Sequence, residues 1–237
     1  MIFAHRGANK LAPENTLKAF KKAIELTADF IELDIHVSKD GELVVAHDYD
    51  LHRITGKDGY IKDFTLKQLK SLNFGEGEKI PTLQEVIELV KGKINLNCEI
   101  KVKGITTKVV NLLREYHIID EVVVSSFLHN ELLKFQKIEP KLKLASLEPL
   151  KFKGNYSWDM KKRMIQFCIN NNLFGINPHY TIIDQQFVDF AHTNNIKVFP
   201  WTVDSKPTIR NLIKFGVDGI ITNDISKTKE VIANTSQ

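Results

Sequence analysis

Cysteine is scarce. Cys98 and Cys168 are the only two, they lie far apart, and they match no metal or redox spacing, which excludes a disulfide scaffold. Both sit among apolar neighbours and read as small buried hydrophobes. Long hydrophobic runs are missing as well: no segment approaches the roughly 18 consecutive apolar residues of a membrane helix. Basic runs are equally absent. Thirty-three Lys and Arg against 29 Asp and Glu leave a formal charge of +4, without a stretch that could track a phosphate backbone, so charge gives no support to nucleic-acid binding. No targeting segment is legible either. Met1-Ile2-Phe3-Ala4 passes directly into a strand pattern, and the expectation is a soluble, cytoplasmic protein with no stable membrane insertion. What the chain does contain, 43% hydrophobic and 26% charged residues, is an ordinary globular mixture and excludes disorder and collagen-like repeats. No pattern speaks to oligomeric state.

Short β-branched runs alternate with amphipathic helical stretches. Strands are predicted at Ile2–Ala4, Phe30–Val37, Ile94–Lys101, Glu121–Phe127, Leu142–Leu147, Phe174–Asn177, Lys197–Val203 and Val217–Thr222. Helices are predicted at Leu17–Ala28, Leu83–Val90, Thr106–Tyr116, Leu128–Ile138, Trp158–Asn170, Asp184–Asn194 and Thr208–Phe215. Thr82-Leu83-Gln84-Glu85 and Thr65-Leu66-Lys67-Gln68 read as capping boxes. About eight strand–helix units in one chain of this length suit a closed eight-stranded α/β barrel, and an open doubly wound sheet would show the same alternation. From Asp48 to Pro81 the pattern loosens into glycines and charges, which reads as an insertion after the second strand, too short to bury much.

Strands of a parallel barrel are covered on both faces and are expected to be apolar throughout. Two break this rule alike. Period two places Glu32, Asp34 and His36 on one face of the second strand and Ile31, Leu33 and Ile35 on the other. In the next strand Asn95, Asn97, Glu99 and Lys101 oppose Ile94, Leu96, Cys98 and Ile100. The apolar faces are expected to pack on helices, leaving the carboxylates inside, near the strands' C-terminal ends where active sites of such barrels lie. Three converging acids repel one another unless a positive charge lies between them, and oxygen-only ligands point to a hard divalent cation. For any single acid the alternatives are an ion pair, such as Glu99 or Asp34 with Lys101, or an exposed edge strand. His5 ends the first strand and His47 closes the apolar run Leu43–Ala46; a lone histidine is more often a structural residue than a catalyst, but two at strand ends beside this acidic set lead to the expectation of an acid–base pair. His52, His117, His129, His179 and His192 lack such context and read as surface or packing residues.

In order along the chain, the sequence shows His5-Arg6-Gly7, Pro13-Glu14-Asn15-Thr16, Glu32-Leu33-Asp34, Lys39-Asp40-Gly41, His47-Asp48, Arg53-Ile54-Thr55-Gly56 and Pro81-Thr82-Leu83-Gln84-Glu85. Glu99-Ile100-Lys101, Ser125-Ser126-Phe127, Trp201-Thr202-Val203 and Asp218-Gly219-Ile220-Ile221-Thr222 follow. Through these motifs, over essentially its whole length, the chain resembles the glycerophosphodiester phosphodiesterases. The resemblance implies a TIM (β/α)8 barrel as a single domain over residues 1–237, with residues 48–81 as the small insertion after the second strand. It implies one divalent cation, Mg²⁺ or Ca²⁺, held by Glu32, Asp34 and Glu99. His5 and His47 match the family's acid–base histidines, and Arg6 and Lys101 its phosphate contacts. Trp201 falls where the family has an aromatic residue near substrate, barrel packing being the alternative.

The implied activity is hydrolysis of a small glycerophosphodiester to glycerol 3-phosphate and an alcohol. A phospholipase-D-like action on lysophospholipids is a rival, weakened by the charged residues of the insertion. A catalytically silent phosphate-binding barrel is another. Two departures from the family pattern stand out. Thr27 replaces the usual glycine before Ala28-Asp29, and the last strand ends Thr222-Asn223-Asp224 in place of Thr-Asp. Neither is expected to touch the metal or histidine set.

Overall fold

The computed structural model describes residues 1–151 and 154–235. Among the described residues, nine strands form one sheet: β1 (Ile2–Ala4), β2 (Phe30–Val37), β3 (Leu43–Val45), β4 (Asn95–Ile100), β5 (Val122–Ser126), β6 (Lys143–Glu148), β7 (Gly175–Pro178), β8 (Lys197–Val198) and β9 (Ile220–Thr222). Eight of them run parallel in the order β8-β7-β6-β5-β4-β2-β1-β9, while β3 folds back antiparallel on β2. The two ends of this path meet. Asp218 N donates to Val198 O (3.0 Å), Ile221 N to Pro200 O (2.9 Å) and Val203 N to Ile221 O (2.9 Å), closing a barrel of eight parallel strands. The strand predicted at Lys197–Val203 is cut short to Lys197–Val198 because Pro200 has no N–H to give the ladder, although the chain keeps its course to Val203.

Helices α1 (Leu17–Glu25), α2 (His52–Thr55), α3 (Leu66–Ser71), α4 (Leu83–Val90), α5 (Thr106–Glu115), α6 (His129–Ile138), α7 (Trp158–Asn170), α8 (Gln185–Thr193), α9 (Lys206–Phe215) and α10 (Ile225–Thr235) follow the strands. Both capping boxes form: Thr82 Oγ1 accepts from Glu85 N while Glu85 accepts from Thr82 N, and Thr65 and Gln68 do the same. The outward face of β2 (Ile31, Leu33, Ile35) is fully buried against the helical layer, as the alternation requires. Inside the barrel, the lower part is filled by aromatic rings. Phe3 stacks on Phe30 at 4.4 Å and tilts against Phe199 at 5.1 Å. Gly219 makes room for this plug, since a Cβ there would lie 2.7 Å from the Phe3 ring. Polar side chains occupy the layers above, towards the strands' C-terminal ends.

The stretch after β3 corrects one expectation. Far from burying little, it carries α2, α3 and a 3₁₀ turn around an apolar cluster of Leu51, Ile61, Leu69, Phe74 and Ile80. A short insertion achieves this because Val44 and Ala46, at and just after β3, lend it a ready-made apolar edge. At the end of α1, Thr27 adopts φ +51° in a Schellman turn, with Thr27 N on Ile24 O (2.8 Å) and Ala28 N on Ala23 O (3.1 Å). That is the backbone conformation for which glycine is suited, held here by a β-branched residue.

Candidate active site

At the C-terminal mouth of the barrel, a cavity of about 190 Å³ is lined by residues from all eight parallel strands or the loops that follow them. His5, Arg6, Glu32, His47, Glu99, Lys101 and Trp201 all line it. Asp34 stands directly behind the wall, 1% exposed. Register explains the convergence of the acids. Asp34 on β2 is paired with Glu99 on β4, and Glu32 lies two residues below Asp34 on the same inward face. Ligand oxygens of Glu32, Asp34 and Glu99 all lie within 4.8 Å of one another, and all three residues are buried.

Positive charge comes from two neighbours. Lys101 Nζ is 2.7 Å from Glu99 Oε1 and 3.4 Å from Asp34 Oδ1. The Arg6 backbone N–H donates to Glu32 Oε2 (2.8 Å), and its guanidinium lies 3.6 Å from Asp34 and 3.1 Å from Glu14. Arg6 reaches this position through a left-handed turn (φ +56°), continued by Gly7 at φ +80°, where a Cβ would come within 2.8 Å of Ala19 Cβ.

These charges do not balance. Burial, then Asp34 and Glu99, push the Glu32 carboxyl well above its ordinary range. Burial and Asp34 push Glu99 up to about 7, against the pull of Lys101. Only Asp34 is held below its usual value: burial opposes this, but Lys101, His47, Arg6 and the amide of Asn15 (2.9 Å) prevail. Two buried carboxyls short of counter-charge beside a third that is ionised make a donor set that fits one hard divalent cation. The ion-pair alternative accounts for Lys101 and its contact to Glu99. Among the described residues, however, it leaves Glu32 no ion pair closer than His5 Nε2 at 4.0 Å, and Glu99 still raised to about 7.

Each histidine is held through Nδ1, which leaves Nε2 to trade a proton. His47 Nδ1 lies 2.6 Å from Asp48 Oδ1, and Asp48 is tied through Arg53 to Glu14, itself bonded to Arg6. Burial lowers the His47 pKa, with Asp34 pulling the other way. His5 Nδ1 lies 2.7 Å from Asn223 Oδ1, and its Nε2 is 4.0 Å from Glu32. Burial, reinforced by Arg6, pushes His5 down to about 4, so the metal-free protein keeps it neutral. His36, on the same face as the acids, supports His47 from behind, its Nε2 3.2 Å from the His47 carbonyl. Trp201 Nε1 donates to Asn177 O (2.8 Å) and meets Phe127 edge-on at 5.6 Å, forming an aromatic wall opposite the acids.

Asn223 overturns one expectation, for the departure at Thr222-Asn223-Asp224 does touch the histidine set. Asp204 accepts from the Asn223 side-chain amide (2.6 Å) and backbone N–H (2.8 Å), and this fixes the Asn223 oxygen towards His5. No spacing in the sequence links positions 218 residues apart. Among the other histidines, His52 pairs with Asp58, His129 stacks on Phe167 and His192 pairs with Asp218, all away from the cavity. His179 packs too, but at the mouth, 5.1 Å from Trp201.

A sequence model of the Glycerophosphoryl diester phosphodiesterase family matches residues 5–227. The chain belongs to that family. The glycerophosphodiester phosphodiesterase of Caldanaerobacter subterraneus subsp. tengcongensis is 42% identical over 243 residues, covering 94% of each chain. That of Bacillus altitudinis is 35% identical, again over 94% of each. Among solved structures, an Oleispira antarctica phosphodiesterase in complex with the product sn-glycerol-3-phosphate superposes with a TM-score of 0.87 at 27% identity, covering 98% of this chain and 96% of that one. The glycerophosphodiester phosphodiesterase of Thermotoga maritima gives 0.83 at 29% identity over 97% of both. The fold of this family member is therefore the TIM barrel of its relatives, and among its described residues no helix is long and apolar enough to cross a membrane.

Proposed function

We propose that this family member hydrolyses glycerophosphodiesters to glycerol 3-phosphate and an alcohol, with His5 and His47 as the proton-transfer pair and one Mg²⁺ or Ca²⁺ held by Glu32, Asp34 and Glu99. The observation that carries the reading is the placement of two imidazoles, each anchored through Nδ1, in one small cavity with an under-compensated acidic cluster. A phosphodiester resists attack because its anionic charge repels the nucleophile and its alkoxide leaves poorly. When bound, the cation supplies electrostatic neutralisation of the phosphate oxygens. Arg6 and Lys101 line the same cavity and are assigned to fix the phosphate and share that charge. One histidine takes the proton of the attacking hydroxyl at Nε2, and the other gives a proton to the departing oxygen. Such acid–base help is worth about 10²–10⁴ in rate. Trp201 and Phe127 give the cavity an apolar aromatic side.

One observation favours the lysophospholipid reading. Among the described residues, Leu11, Tyr49, Tyr60 and Leu150 are exposed large hydrophobic side chains in segments that follow β1, β3 and β6, so the loops after the strands are less polar than the charged insertion alone indicates, although none of the four lines the cavity.

The deciding experiment is an enzyme-coupled glycerol 3-phosphate release assay over a panel of diesters that includes glycerophosphocholine and lysophosphatidylcholine. Turnover should vanish in EDTA, return with Mg²⁺ or Ca²⁺, and be largely lost in Glu99→Gln and His47→Ala proteins that remain folded. Wild-type kinetics in either variant would refute the assignment, and cation binding without turnover of any diester would leave a silent phosphate-binding barrel.

A further inference from the structure

The groups that hold the two imidazoles differ in kind. His47 Nδ1 meets the carboxylate of Asp48, which can only accept a hydrogen bond, so that contact alone fixes a proton on Nδ1. His5 Nδ1 meets Asn223, and an amide offers an oxygen on one side and an NH₂ on the other. Which of them faces the ring decides where a neutral imidazole carries its proton. Oxygen requires Nδ1–H and leaves Nε2 bare, whereas NH₂ requires a bare Nδ1 and moves the proton to Nε2. The contact between His5 and Asn223 cannot choose between these by itself.

Asp204 makes the choice. It lies between β8 and α9 and, like Asn223, does not line the cavity. Its Oδ1 accepts from the Asn223 backbone N–H (2.8 Å) and from Thr222 Oγ1 (3.1 Å), which pins the carboxylate to the end of β9. Its Oδ2 then accepts from Asn223 Nδ2 (2.6 Å). A carboxylate has no proton to offer, so the amide turns its NH₂ to Asp204 and its oxygen to His5. The Asn9 side chain also bonds that oxygen, but it is an amide too and can turn over with its partner, so it sets no direction. We infer that Asp204 is a positioning residue that sets the tautomer of His5 by fixing which way the Asn223 amide faces, an inference that rests on the proton-transfer role proposed for His5. The bare Nε2 lies on the side of the ring that faces Glu32 (4.0 Å), where a ring that takes up a proton needs its lone pair.

Asp204→Asn tests this with a change of one polar position. The new amide oxygen can still accept from Thr222 Oγ1 and the Asn223 N–H, so the melting temperature should stay close to wild type. The new NH₂ faces the Asn223 side chain and should turn it over, presenting Nδ2 to His5. Long-range ¹H–¹⁵N correlation spectra, with the His5 signals assigned by their loss in His5→Gln, read the outcome directly. Wild-type His5 should carry its proton on Nδ1, and Asp204→Asn should move it to Nε2. In the same variant kcat for glycerophosphocholine should fall at least about tenfold with KM nearly unchanged. Combining Asp204→Asn with Asn223→Asp places a carboxylate against His5 and should restore both the Nδ1 proton and kcat. A wild-type proton on Nε2, or a wild-type tautomer in Asp204→Asn, would overturn the inference. A fall in kcat that the combined variant does not repair would overturn it as well, by showing a merely structural role, and so would an unchanged kcat beside a changed tautomer. The spectra need no turnover, so a protein whose tautomers respond as expected but which hydrolyses no diester would refute the proposed reaction and leave the Asp204 device standing.

Discussion

Removing one acid from the mouth of the barrel should stabilise the metal-free protein while destroying its response to cations. In Glu99→Gln the side chain keeps its shape and an oxygen for Lys101 but loses its charge. Burial and Asp34 raise the Glu99 carboxyl from the usual 4.5 to about 7. A carboxyl whose folded-state value lies above its unfolded value favours folding when protonated. The penalty is absent below about 4.5, grows as pH rises, and is complete above about 7. At 1.36 kcal/mol per pH unit, that rise makes roughly 3 kcal/mol of destabilisation at pH 8 in the absence of a cation. For a chain of this size each kcal/mol moves the melting temperature by about 2–4 °C, so the variant should melt roughly 6–12 °C higher in EDTA at pH 8. At pH 4.5, where wild-type Glu99 is protonated in both states, the gain should largely disappear. Mg²⁺ should raise the wild-type midpoint by mass action and have little effect on the variant. Differential scanning calorimetry at the two pH values, with and without Mg²⁺, reads all of this. A lower midpoint for Glu99→Gln in EDTA, or equal Mg²⁺ stabilisation of both proteins, would refute the account of charge imbalance.

Three further outcomes are expected. Protons compete with the cation for Glu32 and Glu99, so affinity should rise from pH 5.5 through about 7, and calorimetry at pH 6 in buffers of different ionisation heat should show proton release; a pH-independent affinity would contradict the raised carboxyls. Asn223→Ala frees the His5 ring, which should cost about tenfold or more in kcat with cation affinity unchanged; unaltered kcat would show that the contact does not orient the ring. Thr27→Gly relieves a left-handed β-branched residue at a cost of about 1–2 kcal/mol, partly offset by glycine's greater unfolded-state freedom, so the melting temperature should rise slightly; a fall would mean that the Lys229 contact to Thr27 outweighs the strain.

The elements most legible in the sequence are those whose neighbours are local. Strand β2 shows why: Ile31, Leu33 and Ile35 alternate with Glu32 and Asp34, and a period of two can mean only two faces with different surroundings. The capping boxes at Thr65 and Thr82 are local hydrogen-bond patterns and form as read. That Glu32, Asp34 and Glu99 meet follows from β2 and β4 lying side by side, which a barrel makes nearly obligatory. What escaped depends on contacts between distant segments. The partnership of His5 with Asn223 exists only because the last strand returns to the first. Arg53 and Glu14 become the support of Asp48 only when the segment after β3 folds over the loop after β1. The cluster behind that segment was invisible because part of its apolar surface belongs to β3, outside the stretch itself.

The closure of the barrel has a kinetic consequence. The His5 backbone N–H donates to the Thr222 carbonyl and its ring is anchored on Asn223, and these meet only when β9 docks on β1. A refolding chain could assemble the acidic cluster from β2 and β4 alone, and so bind a cation early, yet it would still lack one properly aimed imidazole. Recovery of cation binding should therefore run ahead of recovery of turnover, and the lag between them would time the last seam to be sewn.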